Sequence, residues 1–251
     1  MPSEPSSSIV LDAAEIVAVP TQPPVRVIPG TAQPRNAALL VMLGEASDEA
    51  AAALRVIRHR LEQRRAAGMW VFGVTSARDG EGKSTFATQL ALVLGESQRA
   101  RVLLVEADFR TPSLAEVLGF EVPDGLGFSA QIARRMLGTA EQWVVIALGP
   151  SLHVLAEPQG AGFPESLHST HFQGAISLLA RGYDFVVVDS PAILGSGDAN
   201  VVEEAVDGVI IVTRSKHSKG SELREATKRL GDRKVVGAVI WDADVPQVRR
   251  P

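Results

Sequence analysis

The chain has 251 residues, with 29 Asp and Glu against 25 Lys and Arg, a formal net charge of −4, no Cys and one Tyr. Without Cys there is no disulfide scaffold, zinc ribbon, thiol nucleophile or Cys-ligated cluster, and the mildly acidic balance argues against a dedicated nucleic-acid binder. The opening MPSEPSSSIV lacks the basic and apolar regions of a signal peptide, and no run approaches the ~18 apolar residues of a spanning helix.

Residues 1–46 are rich in Pro, Ser and Ala, and hold seven of the 15 prolines. Proline removes backbone donors and fixes φ, so this segment reads as a disordered or extended tail. A helix is expected over 47–67, with Ser47 as cap, Asp48 and Glu49 in the first turn and Gly68 as the stop. Leu54, Ile57 and Leu61 form its apolar edge, and five arginines (55, 58, 60, 64 and 65) cover the rest. That basic face is either solvated or a docking surface for an acidic partner or a neighbouring subunit.

From residue 69 short apolar runs alternate with helical stretches. The runs are Met69–Thr75, Arg101–Asp108, His153–Ala156, Phe185–Asp189, Gly208–Thr213 and Val235–Trp241. Continuous β-branched runs indicate strands buried on both faces, and intervening helices call for right-handed crossovers. The expected fold is therefore a three-layer α/β domain, a mainly parallel central sheet flanked by helices, over 47–245, with 246–251 as a short tail. Ligands of such folds sit at the carboxyl ends of the strands.

The polar motifs fall at those ends. Ala77-Arg-Asp79-Gly80-Glu81-Gly82-Lys83-Ser84-Thr85 follows the first strand of this series and reads as a phosphate-binding P-loop whose usual first Gly is Ala77. Gly80 and Gly82 let backbone N–H groups close around phosphate oxygens, and the helix after them offers its positive end. Lys83 is placed to reach the β- and γ-phosphates of ATP, and the Ser84 hydroxyl to bind Mg²⁺. Residues 79–85 are the expected nucleotide-binding set. Glu106 and Asp108 end a second strand and Asp189 a third; such carboxylates can hold Mg²⁺ or accept the proton of an attacking hydroxyl.

The phrases VTSARDGEGKSTFATQLA, VLLVEADFRTP, YDFVVVDSPAIL and GDANVVEEAVDGVIIVTR resemble the bacterial tyrosine kinases of capsular and exopolysaccharide biosynthesis, within the P-loop ATPases with a deviant phosphate loop. The resemblance runs from about Glu49 to Ile240 and implies a P-loop ATPase fold, ATP and Mg²⁺, and transfer of the γ-phosphate to protein tyrosine. It implies a cytoplasmic protein brought to the inner membrane face by a separate membrane chain, a regulator of polymer length, without inserting itself. By position, Lys83 and Ser84 match the P-loop, Asp108 and Arg110 the second motif, and Asp189 and Pro191 the third. Lys83, Glu106 and Asp108 are the catalytic candidates, and Ser84, Asp108 and Asp189 the metal candidates.

The departures set the alternatives. The first acid of the family's DxDxR is Glu106, the second Pro of DxPP is Ala192, and the Asn expected after the last strand is Trp241. The oligomer-forming Glu-x-x-Arg-x-x-Arg reads Glu49-x-x-Ala52-x-x-Arg55, so homo-oligomer assembly through the 47–67 helix is expected with one Arg fewer. The sequence ends DADVPQVRRP, without the tyrosine cluster on which family members autophosphorylate. A nucleotide-responsive scaffold lacking efficient transfer is thus one alternative. A ParA/MinD-type positioning ATPase is another, with Arg78 in the place of a lysine that reaches across a dimer. Gly125-x-Gly127-x-x-Ala130 reads as a loop, His168 and His171 as surface or half-buried residues, and Asp198 as a helix start.

Overall fold

The computed structural model describes residues 25–34, 49–139, 142–160, 169–195, 197–230 and 234–241. In chain order these form β1 (Val25–Pro29), α1 (Glu49–Ala66), β2 (Val71–Ser76), α2 (Lys83–Gly95), β3 (Val102–Glu106), α3 (Leu114–Leu118) and α4 (Phe128–Met136). There follow β4 (Trp143–Ala147), β5 (Leu152–Leu155), α5 (Ser169–Ala180), β6 (Phe185–Asp189), α6 (Asp198–Ala205), β7 (Gly208–Arg214), α7 (Gly220–Leu230) and β8 (Val235–Trp241).

The described strands make one sheet in the order β1-β4-β5-β3-β6-β2-β7-β8. Every neighbouring pair is parallel except β4 with β5, so β1 and β4 run against the other six. Side chains alternate across the sheet with the strand period of two. Phe72, Val74, Leu104, Val187 and Ile210 meet Leu54 and Leu61 of α1, Phe86, Leu90 and Leu94 of α2, and Leu114 and Leu118 of α3. On the opposite face Val71, Leu103, Val105, Val186 and Ile211 meet Phe128, Phe172, Ile176, Val202 and Leu230 of α4 to α7. Two apolar layers around a doubly covered sheet are the expected three-layer fold.

Two strands fall outside the expected set. β1 comes from the Pro-rich segment read as tail, which corrects that reading for residues 25–34. It pairs along β4 in full register from Val25↔Trp143 to Pro29↔Ala147. An outermost strand can carry Pro, because one side of its ladder is unpaired. The other is β4, the run WVVIA, which the Gly149-Pro150-Ser151 turn sets apart from β5 as a hairpin signal between two apolar runs. The rest of the proposed tails, residues 1–24, 35–46 and 246–251, lies outside the described residues, as do Ser47, Asp48 and residues 242–245.

Helix α1 is held by charge as well as by its leucines. Arg55 and Arg58 converge on Glu96 after α2, with Arg55 Nη2 at 2.5 Å and Arg58 Nη1 at 2.6 Å from its carboxylate. Arg65 reaches Asp184 at 2.5 Å. Three of the five arginines therefore serve contacts within the chain, rather than only a solvated face.

Candidate active site

The carboxyl ends of β2, β3 and β6 lie side by side, and the loops leaving them meet. The post-β6 loop is tied to the start of the phosphate loop: Ile193 N–H donates to the Ser76 carbonyl (2.9 Å) and Leu194 N–H to that of Ala77 (3.1 Å). Gly80 and Gly82 have φ of 81° and 89°, a conformation that a side chain disfavours. Ala77 is not among the described residues with positive φ, so the missing first glycine brings no backbone strain.

Lys83 opens α2 with its side chain buried and its Nζ between two carboxylates, 3.0 Å from Asp79 Oδ1 and 4.0 Å from Asp108 Oδ2. Asp108 is also fixed by accepting the Thr111 N–H at 3.2 Å. The next residue, Phe109, anchors that loop by packing on Phe128 and Phe172, with ring centroids 6.1 and 6.3 Å away.

Asp189 is completely buried, and among the described residues no donor meets either of its carboxylate oxygens in full hydrogen-bond geometry, the Ser84 hydroxyl lying nearby. Burial raises its pKa to about 7; the Ser84 hydroxyl and the Lys83 charge oppose the rise, and the Asp108 charge adds to it. A buried carboxylate beside a serine hydroxyl is suited to receive a divalent cation. Among the described residues no three His, Cys, Asp or Glu side chains form a metal cage. Such a cage is not what Mg²⁺ requires, since it takes one or two carboxylates and completes its shell with phosphate and water.

Other expected residues are placed differently. Glu81 is buried and turned away from the loop's phosphate-facing backbone: Oε2 accepts the Arg78 N–H at 3.0 Å and Oε1 the Ser218 hydroxyl, so its side chain braces the loop against the turn after β7. Glu106 has different partners from Asp108. Both its oxygens are taken by backbone N–H groups of Ser113, Leu114 and Glu157. Burial and then the Asp189 charge raise its pKa to about 8, against those donors.

Arg110 donates to Asp198 Oδ2 at 2.7 Å, and Arg78 lies 3.4 Å from Glu222 of α7 in the same chain. Asp198 begins α6, as expected. Gly127 precedes α4, and a Cβ there would come within 2.7 Å of Pro158 Cδ, so that glycine serves a close approach. His171 is exposed on α5; His168 lies outside the described residues, and so does the side chain of Trp241. The contribution that sequence reasoning missed is Ser113, whose hydroxyl donates to Ser84 Oγ at 2.7 Å. Its only signal was a small polar residue at the entry of a short helix after DFRTP.

A phosphate loop leading into α2, with acidic strand ends beside it in a parallel sheet, defines a P-loop nucleotide-binding protein. No family model matches the chain. The tyrosine-protein kinase YwqD of Bacillus subtilis is 30% identical over 170 residues, covering 66% of this chain and 70% of that one. The tyrosine-protein kinase CpsD of Streptococcus agalactiae serotype III is 26% identical over 163 residues, 64% and 68% of the two chains. Among solved structures, the kinase domain of the Escherichia coli tyrosine kinase ETK aligns with a TM-score of 0.67 and 23% identity, over 87% of this chain and 91% of that one. The chimerical protein CapA2B2 gives 0.68 and 22%, over 84% and 92%. A Mycobacterium smegmatis cobyrinic acid a,c-diamide synthase with bound ADP and magnesium shares the fold at 0.52 and 22%, over 68% and 73%. The chain belongs to the bacterial tyrosine-protein kinase family.

Proposed function

We propose that the protein is an ATP-dependent protein-tyrosine kinase of capsule or exopolysaccharide production whose acceptor tyrosines lie outside this sequence. The observation that carries the reading is the convergence of Lys83, Ser84, Asp108 and Asp189 at three adjacent strand ends. Backbone N–H groups of residues 79–85 cradle the phosphates, and Lys83 exchanges Asp79 for the β- and γ-phosphates. Ser84 and Asp189, with Asp108 close by, would hold Mg²⁺, which when bound neutralises charge on the phosphates. The tyrosine oxygen forms a bond to the γ-phosphorus, the bond to the β-phosphate oxygen breaks, and the phenolic proton passes to Asp108. ADP and phosphotyrosine result. Catalysis on this plan is positioning and charge neutralisation.

Tyr183, the sole tyrosine, is buried, and its hydroxyl lies 2.8 Å from His153 Nδ1. Among the described residues no helix is long and apolar enough to cross a membrane. The natural partner on this reading is a separate membrane chain that controls polymer length and recruits the kinase to the inner membrane face; contacts between copies through α1 are a further expected assembly. In the test, purified protein, γ-labelled ATP, magnesium and a tyrosine-containing acceptor are combined with and without the membrane partner. Label reaches tyrosine with wild-type chain, and Lys83→Met lowers the rate at least 100-fold. The engagement of Glu106 by backbone favours a second reading, a nucleotide-responsive scaffold. It predicts nucleotide-dependent partner binding with turnover equal to that of Lys83→Met.

A further inference from the structure

Glu106 stands where the family motif has an aspartate, at the end of a strand aimed at the site. Its carboxylate is nevertheless occupied by three main-chain donors. We propose that Glu106 is a positioning residue, which through Ser113 fixes the Ser84 hydroxyl on the metal-binding edge of the site. This inference rests on the nucleotide-site reading above.

Glu106 Oε1 accepts N–H groups from Ser113 (2.5 Å) and Leu114 (2.9 Å), where α3 begins, and Oε2 accepts that of Glu157 (3.0 Å) after β5. The residue is fully buried. Each oxygen is satisfied, as a buried acceptor must be. An aspartate arm is shorter by one carbon–carbon bond, about 1.5 Å, and could not keep all three donors. Glu157 continues the tether by accepting the Ser129 N–H at 2.9 Å and the Ser129 hydroxyl, at the start of α4. From Ser113 the link turns toward the nucleotide, its hydroxyl donating to Ser84 Oγ at 2.7 Å. The Ser84 oxygen keeps a second lone pair for a cation and its own proton for a neighbouring acceptor. A hydroxyl already fixed in orientation loses less freedom when it becomes a ligand.

The test measures the Mg²⁺ dependence of binding of a fluorescent ADP analogue to the full chain, beside kcat and thermal melting, for Ser113→Ala, Glu106→Gln and the double variant. Ser113→Ala is expected to raise the half-saturating Mg²⁺ concentration about fivefold, the worth of one hydrogen bond. Its kcat at saturating Mg²⁺ should change less than that. Glu106→Gln puts an NH₂ against a backbone N–H and should raise the concentration at least as far, and combining the two changes should add little. Two results would overturn the proposal: a Ser113→Ala chain with the wild-type Mg²⁺ dependence, or a Glu106→Gln chain with unaltered Mg²⁺ dependence and kcat lowered about 100-fold, the mark of an acid or base. If Glu106→Gln does not fold, Ser113→Ala alone decides. Wild-type chain that binds the probe with no Mg²⁺ dependence would instead defeat the nucleotide-site reading itself.

Discussion

Lys83 illustrates how the site balances its own charge. Its ammonium rests against Asp79, whose side chain is 69% exposed, so this contact is screened and weak. Incoming phosphate must displace that carboxylate and tolerate its charge. Asp79→Asn is therefore expected to tighten ATP binding by about two- to fivefold, the range of an exposed ion pair, as titration calorimetry would read it. Asp189 gives a prediction with a pH sign. Its folded pKa, about 7, lies above the value of an unfolded aspartate, so the native state binds more protons. Stability from this group is complete at acid pH and is lost as pH rises through about 7. Melting of the nucleotide-free chain should fall between about pH 4 and 7, with buried Glu106 adding a fall of the same sign, and Asp189→Asn should reduce the total by an amount on the order of a few kcal/mol. An equally steep fall in the variant would contradict the assignment.

At the scale of elements, what the sequence displays depends on how much of the signal is local. The runs at 185–189 and 235–241 coincide with β6 and β8, because continuous β-branched residues bounded by helix signals admit little else. Lys83 and Ser84 were equally legible, since a phosphate loop is defined by consecutive residues. Glu106 was not: its role depends on donors from Ser113 and Glu157, which adjacent residues do not reveal. β1 was hidden for the same reason, as VRVIP becomes a strand only where β4 offers an edge. Gly119 shows how its continuation is seated. It ends α3 with φ of 68°, accepts the Gln33 N–H at 3.1 Å, and a Cβ there would fall 1.7 Å from the Gln33 carbonyl oxygen. Gly119→Ala should displace residues 30–34 and speed amide exchange at Gln33 at least tenfold, while the core amides of β2 and β6 stay protected. Unchanged exchange at Gln33 would refute this seating.

Over the whole molecule, the polarity of the sheet separates structure from chemistry. The six strands that run together carry the phosphate loop and the acidic ends to one edge, and Tyr183 precedes β6 at the other, about 17 Å away along a five-residue strand. There it belongs to the core, with its ring T-shaped against His153. Burial holds its hydroxyl well above the usual phenol range, the Arg101 charge opposing, so it remains a protonated packing group. On the function proposed above, the acceptor tyrosines are then residues other than Tyr183. The most direct test is to map phosphotyrosine by mass spectrometry after incubating the chain with ATP, magnesium, its membrane partner and a tyrosine-rich acceptor. Phosphotyrosine is expected on the other proteins, with none on Tyr183 and loss of the modification with Lys83→Met; equal modification by wild type and Lys83→Met, or phosphate on Tyr183 of the folded chain, would contradict the proposed function.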